Sequence, residues 1–300
     1  MPWERCAVKG LACILLGILI PAAAWAAGLH VQDSMVVTGT LTVNPDGGVA
    51  SYTVRDLDKL PPAARHIVQA TVPEWHFAPI VANGKPVGAK AGMSLRIVAD
   101  MIDKTHARIR VASAEFGCEA GRARKLLPDE CPKGSSVSYA HRRPPSYPIE
   151  ALRARVGGEV FLVLQIDRSG RVSRAAARQV NLYSVTEEPA HFRTVLADAS
   201  LRAASRWRFN IPVTGPEAAK DHWVVQVPVN YWMGRPGSAP ARHYGEWNAC
   251  IPGPVEDVPW ADAGGRTSGG FDAIATAGVP FIRDTRFVLE TALTRGNEHS

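Results

Sequence analysis

The chain has 300 residues, a net charge of +6 and a hydrophobic fraction of 46%, with 21% charged residues. Such a length is typical of about two domains, and the composition is that of a globular protein rather than a disordered one. The positive charge is spread along the chain, and basic residues are not interleaved with aromatic ones as in a nucleic-acid channel. We therefore do not expect nucleic-acid binding.

The N-terminus has the three parts of a secretory signal peptide. Arg5 and Lys9 precede an apolar stretch at residues 11–20. Residues 24–26 read Ala-Trp-Ala, a small-x-small cleavage pattern. The apolar stretch is shorter than the about 20 residues of a comfortable transmembrane helix. We predict that residues 1–26 are a cleaved signal peptide. The alternative is an uncleaved N-terminal helix that anchors the protein in the inner membrane.

Export also bears on the cysteines, because an oxidising compartment favours disulfides. The mature chain keeps Cys118, Cys131 and Cys250. The local pair, Cys118 with Cys131, predicts a disulfide loop within a linker at 117–143, and chain-entropy arguments give such a loop roughly 3 kcal/mol. Cys250 is then free or pairs elsewhere. The spacing of the local pair fits no common zinc-ligand pattern, and we predict no metal site.

Residues 31–116 form a first predicted unit. In chain order its elements are a strand at 35–43, a strand at 49–54, a helix at about 60–71, and strands at 93–99 and 107–116. A turn rich in Asn, Pro, Asp and Gly separates the first two strands, and the helix must stop before Pro73. Trp75 and Phe77 follow the helix, and we expect both in the core.

Residues 144–233 repeat this order. The predicted elements are strands at 158–167 and 171–180, a helix at about 192–205, and a strand at 222–231. Trp207 and Phe209 follow the helix and are expected in the core, where a side chain as large as Trp contributes roughly 2–3 kcal/mol. The sequence thus predicts an α+β, two-layer β-β-α-β domain at 144–233, preceded by a degenerate copy at 31–116. The tail at 234–300 is rich in Gly and Pro, and only 279–293 is apolar enough to order.

The motifs of 144–233, in their order and spacing, resemble the C-terminal domain of TonB. They are the entry Tyr147-Pro148, the strand start Gly157-Gly158-Glu159-Val160, the hairpin turn Ser169-Gly170-Arg171-Val172, and the helix end Arg206-Trp207-Arg208-Phe209. Residues 31–116 resemble the same domain only faintly, since they lack the Tyr-Pro entry.

The resemblance implies a function in the periplasm. In that family the domain couples a proton-driven inner-membrane complex to outer-membrane transporters by strand addition with a short peptide of the transporter plug. The last strand would receive the partner, and Pro228 within it is typical of an edge strand. The segment before Tyr147 would also touch the partner. The partner-binding residues implied are Arg142, Arg143, Tyr147, Trp223, Val225, Val227, Val229 and Tyr231.

Two alternatives to a periplasmic binding protein remain open. The first is a membrane-anchored energy transducer of the TonB system, but the chain lacks the long Pro-rich spacer of a transducer, which favours the binding protein. The second is an envelope enzyme. The nine histidines are scattered, and no His-Glu-x-x-His, Gly-x-Ser-x-Gly or P-loop motif occurs. We therefore predict no catalytic residues, no cofactor and no enzyme activity.

Overall fold

The computed structural model describes residues 31–102, 106–118, 120, 131–233, 244–261, 272–273, 280–293 and 297–299. The predicted signal peptide lies outside these residues. Within them, no helix is both long and apolar enough to cross a membrane. The described chain combines antiparallel sheets with helices, as an α+β protein does.

The first unit is a four-stranded antiparallel arrangement in the order β2-β1-β5-β6. Its elements are β1 (Gln32–Val43), β2 (Val49–Val54), α1 (Pro62–Thr71), the short hairpin β3 (Val81–Ala82) and β4 (Lys85–Pro86), β5 (Ala89–Met101) and β6 (Ala107–Phe116). Helix α1 buries Ala64, Ile67 and Val68 on one face of the sheet. Strand β5 is longer at both ends than the predicted 93–99, because it pairs with β1 along almost its whole length.

The second unit is built around a three-stranded sheet in the order β11-β8-β9. Its elements are β7 (Ser138–His141), α2 (Ile149–Arg153), β8 (Gly158–Asp167), β9 (Val172–Leu182), α3 (Pro189–Ala204), β10 (Arg208–Asn210) and β11 (His222–Tyr231). Helix α3 covers one face of the sheet and buries Phe192 and Leu196 there. The short β7 and β10 pair with each other, and neither was predicted from the sequence.

The hairpin turn of each unit is closed in the same way. The backbone N–H of Phe77 donates to Gly47 O at 2.8 Å, and that of Phe209 donates to Gly170 O at 2.9 Å. Both glycines have positive φ, and a Cβ would lie 2.0 Å from Phe77 O in the first turn and 2.1 Å from Phe209 O in the second. The Trp-x-Phe motif therefore lies beside the turn, which brings its aromatic residues over the end of the sheet. Trp75, Phe77, Trp207 and Phe209 are all buried.

The sheet faces that point away from the helices carry buried polar side chains. On β1, β5 and β6 these are Ser34, Thr38, Ser94, Arg96, Ser113 and Glu115, and on the second sheet they are Glu159, Gln179, Asn181 and Gln226. Such a layer requires hydrogen-bond partners, because a buried polar group without one is costly. The C-terminal tail supplies several of them.

The tail runs across both units. Strand β12 (Asn248–Cys250) pairs with the start of β1, and the next residue, Ile251, bridges Leu182 at the end of β9. Further along, Phe281 bridges Gln226 on β11, and Leu289 bridges Phe77. Strand β13 (Asn297–His299) pairs with β6. The tail thus joins the two units through main-chain hydrogen bonds.

The predicted disulfide is present. Cys118 and Cys131 are bonded, with their Cα atoms 5.4 Å apart. Cys250 is a free thiol and is buried near Arg96 and Ser34. The domain boundaries given above stay a prediction.

Candidate functional site

Strand β11 lies at one side of the three-stranded sheet. It pairs with β8 along its full length, from His222 opposite Asp167 to Tyr231 opposite Gly158. On its other side, among the residues that the structure describes, the only β-bridge is the one between Gln226 and Phe281. The long outer edge of β11 is therefore one place where a further strand can add to this sheet.

Side chains alternate along β11. Trp223, Val225, Val227, Val229 and Tyr231 point toward α3 and are at most 2% exposed. These five side chains, which the sequence implied for partner binding, thus form part of the hydrophobic core. Tyr231 is further held by a 2.9 Å hydrogen bond between its hydroxyl and Ser200 Oγ.

The backbone groups that point outward belong to the alternate residues. Gln226 donates its N–H to Phe281 O at 2.8 Å and accepts from Phe281 N at 2.9 Å, so both of its backbone groups face away from β8. By the two-residue period of a strand, the same holds for Val224 and Asn230, and for the carbonyl of Pro228. These residues form the outer edge of β11. The sequence did not identify these residues. Its alternation of apolar and polar residues shows that side chains point to two faces of the sheet, but it does not show which edge of the strand pairs with a neighbour.

Proline at 228 fits this geometry. Its missing N–H falls on the outward side, where no hydrogen bond to β8 is lost. Asn230 lies near the end of the edge and donates Nδ2–H to the hydroxyl of Tyr183 at 2.7 Å. The next residue, Trp232, is 42% exposed and its ring lies 6.0 Å from that of Tyr183.

The segment before Tyr147 lies against the aromatic end of α3. Trp207 Nε1 donates to Arg143 O at 2.8 Å. The guanidinium of Arg142 lies 5.0 Å from the ring centre of Tyr139 and 5.5 Å from that of Trp207, within range of a cation–π interaction. Burial raises the pKa of Tyr139 to about 12, although the charge of Arg142 acts in the opposite direction. The guanidinium of Arg142 and the backbone carbonyl of Arg143 thus contact the aromatic cluster of Tyr139 and Trp207.

Tyr147 lies at the C-terminal end of β11. Its ring meets that of Tyr231 edge-to-face at 5.4 Å, and its hydroxyl donates to Val156 O at 2.9 Å. Burial raises the pKa of Tyr147 to about 12, so this phenol stays neutral. The structure therefore brings Tyr147 together with the C-terminal end of β11, while Arg142 and Arg143 lie at Trp207.

The outer edge of β11 is suited to main-chain pairing. Within the described ranges, no group of three or more His, Cys, Asp and Glu side chains is placed to hold a metal ion. The outer edge of β11 consists of Val224, Gln226, Pro228 and Asn230, after the exposed His222 at the start of the strand. What it offers is a row of backbone donors and acceptors.

Comparison with known proteins finds relatives of the second unit. Residues 143–233 match the family model of the Gram-negative bacterial TonB protein C-terminal. Two curated relatives from strains of Xanthomonas campestris pv. campestris, each called Protein TonB, are 33% identical over 95 residues, which is 32% of this chain and 37% of each relative. The chain thus spans well under half the length of these relatives. No solved structure matches it. Residues 143–233 therefore belong to the TonB C-terminal domain family.

Proposed function

We propose that this chain is a periplasmic TonB-like protein that binds an extended segment of an envelope partner by strand addition to the outer edge of β11. The observation that carries the proposal is the edge itself, a strand of a TonB-family domain whose backbone groups at Val224, Gln226 and Asn230 point away from the sheet. TonB-family proteins are energy transducers rather than enzymes, in agreement with the prediction of no enzyme activity. The partner we propose is the plug segment of an outer-membrane transporter.

The first unit has a similar strand order but a different pairing at the corresponding strand edge. Strand order β2-β1-β5 matches β9-β8-β11, with α1 and α3 in the same place along the chain. We propose that 31–116 is a degenerate copy of the domain at 144–233, with 117–143 as linker and 234–300 as tail. In the first unit, β5 takes the position of β11, and its outer side is already paired with β6. In the second unit the corresponding edge is covered, among the described residues, by a single bridge to Phe281 of the tail. A partner strand therefore competes there with one bridge rather than with a full strand.

Strand addition to β11 can be tested by peptide binding. The full chain should bind a synthetic peptide that copies the plug segment of a transporter from the same cell. Val224→Pro removes one outward N–H and places a ring on the edge without removing a bond to β8. We expect affinity to fall about five- to tenfold, equivalent to the roughly 1–1.5 kcal/mol of a lost hydrogen bond. Isothermal titration calorimetry measures the dissociation constant.

The matched control is Val185→Pro, at a valine that is 69% exposed in the loop after β9. It should bind as the unchanged chain does. Equal affinity of the Val224→Pro chain would show that the outer edge of β11 does not receive the peptide. If the peptide bound neither the unchanged chain nor a Phe281→Ala chain, in which the tail is held less firmly on β11, the transporter would be excluded as the partner.

A further inference from the structure

The centre of the outer edge of β11 is occupied by the chain's own tail. Gln226 and Phe281 exchange two backbone hydrogen bonds, of 2.8 and 2.9 Å, in an antiparallel bridge. This is the hydrogen-bonded pair of an antiparallel ladder, and it uses both outward groups of Gln226. An incoming strand would need the same two groups.

The Phe281 side chain holds the tail in this position. It is 3% exposed and packs with Phe161 and Ala120 on the sheet face opposite α3. The neighbouring Ile282 packs against the core of the second unit. Burial of the Phe281 side chain stabilises the tail in this position in addition to the two backbone bonds.

The residues that follow attach the tail to the first unit. The Arg283 guanidinium forms a bidentate pair with Glu115, with Nε–Oε2 at 2.9 Å and Nη2–Oε1 at 2.5 Å. The backbone N–H of Asp284 donates to Phe116 O at 3.0 Å. The tail is therefore attached to the first unit directly after the bridge at Phe281.

We propose that residues 280–282 are a built-in occupant of the outer edge of β11, and that an external strand binds by displacing them. The inference rests on the proposed function and adds its regulation. Because one backbone edge pairs with one strand, the tail and the partner exclude each other at Gln226. If the edge is free in about a tenth of the molecules, the apparent affinity for the partner is about tenfold lower than its intrinsic affinity.

The occupied edge also indicates what the partner carries. A strand that replaces Phe281 must fill the apolar site against Phe161, so it has a large apolar residue opposite Gln226. The Oε1 atom of Gln226 is buried and accepts no hydrogen bond from the part of the chain that the structure describes. A donor side chain two residues from the apolar one would lie on the same face and could satisfy this atom.

Phe281→Ala in the full chain tests the displacement, with Leu289→Ala as its control. Leu289 is also a buried tail residue in an antiparallel bridge, but it lies on Phe77 of the first unit. The probe is a synthetic peptide of residues 276–288 of this chain, added in trans. We expect the Phe281→Ala chain to bind it about tenfold more tightly than the unchanged chain, with faster hydrogen exchange in β11. The Leu289→Ala chain should match the unchanged chain in both measurements.

A second variant keeps the test decisive if Phe281→Ala lowers stability. Gln226→Cys with Phe281→Cys places two cysteines at directly opposed positions, which suits a disulfide. Oxidised, this chain should not bind the probe, and reduction should restore binding to at least the level of the reduced unchanged chain, since the variant also lacks the Phe281 side chain. Probe binding by the oxidised variant that equals that of the unchanged chain would overturn the inference, as would equal probe affinity of the Phe281→Ala and unchanged chains.

The transporter peptide separates the inference from the proposed function. If Phe281→Ala strengthens binding of the 276–288 probe but no chain binds the transporter peptide, the tail occupies the edge and the proposed partner is wrong. If the transporter peptide binds the unchanged and Phe281→Ala chains equally, strand addition stands and displacement is wrong.

Discussion

Asp167 shows how one side chain organises the turn beside the Trp-x-Phe motif. Its Oδ1 accepts from the N–H of Ser169 at 2.8 Å, the hydroxyl of Ser169 at 2.6 Å and the N–H of Arg171 at 3.0 Å. These bonds hold the pKa of Asp167 below its ordinary value of 3.8, and the bond from the Ser169 hydroxyl contributes most to the shift. The charged carboxylate is therefore favoured by folding.

We expect Asp167→Ala to lower the free energy of unfolding at pH 7. Because the folded-state pKa is lowered, the contribution of Asp167 is present above pH 3.8 and is lost as pH falls through the folded-state value. The difference between the two chains should accordingly shrink in acid. Urea unfolding at pH 7 and at low pH measures this, and Asp198→Ala, on an exposed helical position of α3, is the control. A difference that is constant with pH would contradict the assigned role.

At the scale of elements, β5 and β11 differ in how their two edges are paired. Strand β5 is enclosed between β1 and β6, whereas β11 pairs fully with β8 alone. An uncovered edge invites pairing with other chains, and proline on the outward side limits it. Pro228 supplies that protection next to Gln226, where the tail covers the edge.

Pro228→Val should therefore increase self-association without weakening the sheet. The substitution adds an outward N–H to the edge and leaves the pairing with β8 unchanged. Sedimentation velocity at increasing protein concentration should show a dimer for Pro228→Val and a monomer-like profile, equal to that of the unchanged chain, for the control Pro254→Val in the exposed part of the tail. Identical profiles for both variants would show that residue 228 does not protect the edge.

At the scale of the whole molecule, the tail completes the polar layer of the first sheet. Arg96 is 4% exposed, and its Nε lies 3.1 Å from Asp272 Oδ2 in the tail. The same guanidinium donates to Ser34 Oγ at 2.9 Å and to Asp272 O at 3.2 Å. The ion pair thus ties two segments that are far apart in the chain.

Arg96→Met should destabilise the protein by about 3–5 kcal/mol, because it leaves the Asp272 carboxylate largely buried without its cation. Arg65→Met is the matched control. Arg65 lies 4.0 Å from the fully exposed Asp58, so the loss of this surface pair should leave the free energy of unfolding nearly unchanged. Urea unfolding of the full chain measures both changes. A loss below about 1 kcal/mol for Arg96→Met would show that the tail is not held by this pair.

Local patterns determined much of this protein. The strands at 49–54, 107–116, 158–167 and 222–231 have the bounds predicted from the sequence. Their β-branched residues, turn glycines and aromatic motifs act over a few residues, which is why they are readable in the chain. The family of 143–233 was recognisable for the same reason, since its motifs are short and ordered.

Only the tertiary structure decided which backbone edge of β11 faces outward and what covers it. The alternation of the strand does not show which edge is paired. The residues that the family resemblance implied for partner binding on β11 have their side chains in the core, and the backbone groups of Val224, Gln226 and Asn230 face outward. The bridge to Phe281 joins residues 55 positions apart (281 − 226 = 55) across a Gly- and Pro-rich segment with no local periodicity. Pairing at such a distance depends on the packing of both units, which no local pattern in the sequence records.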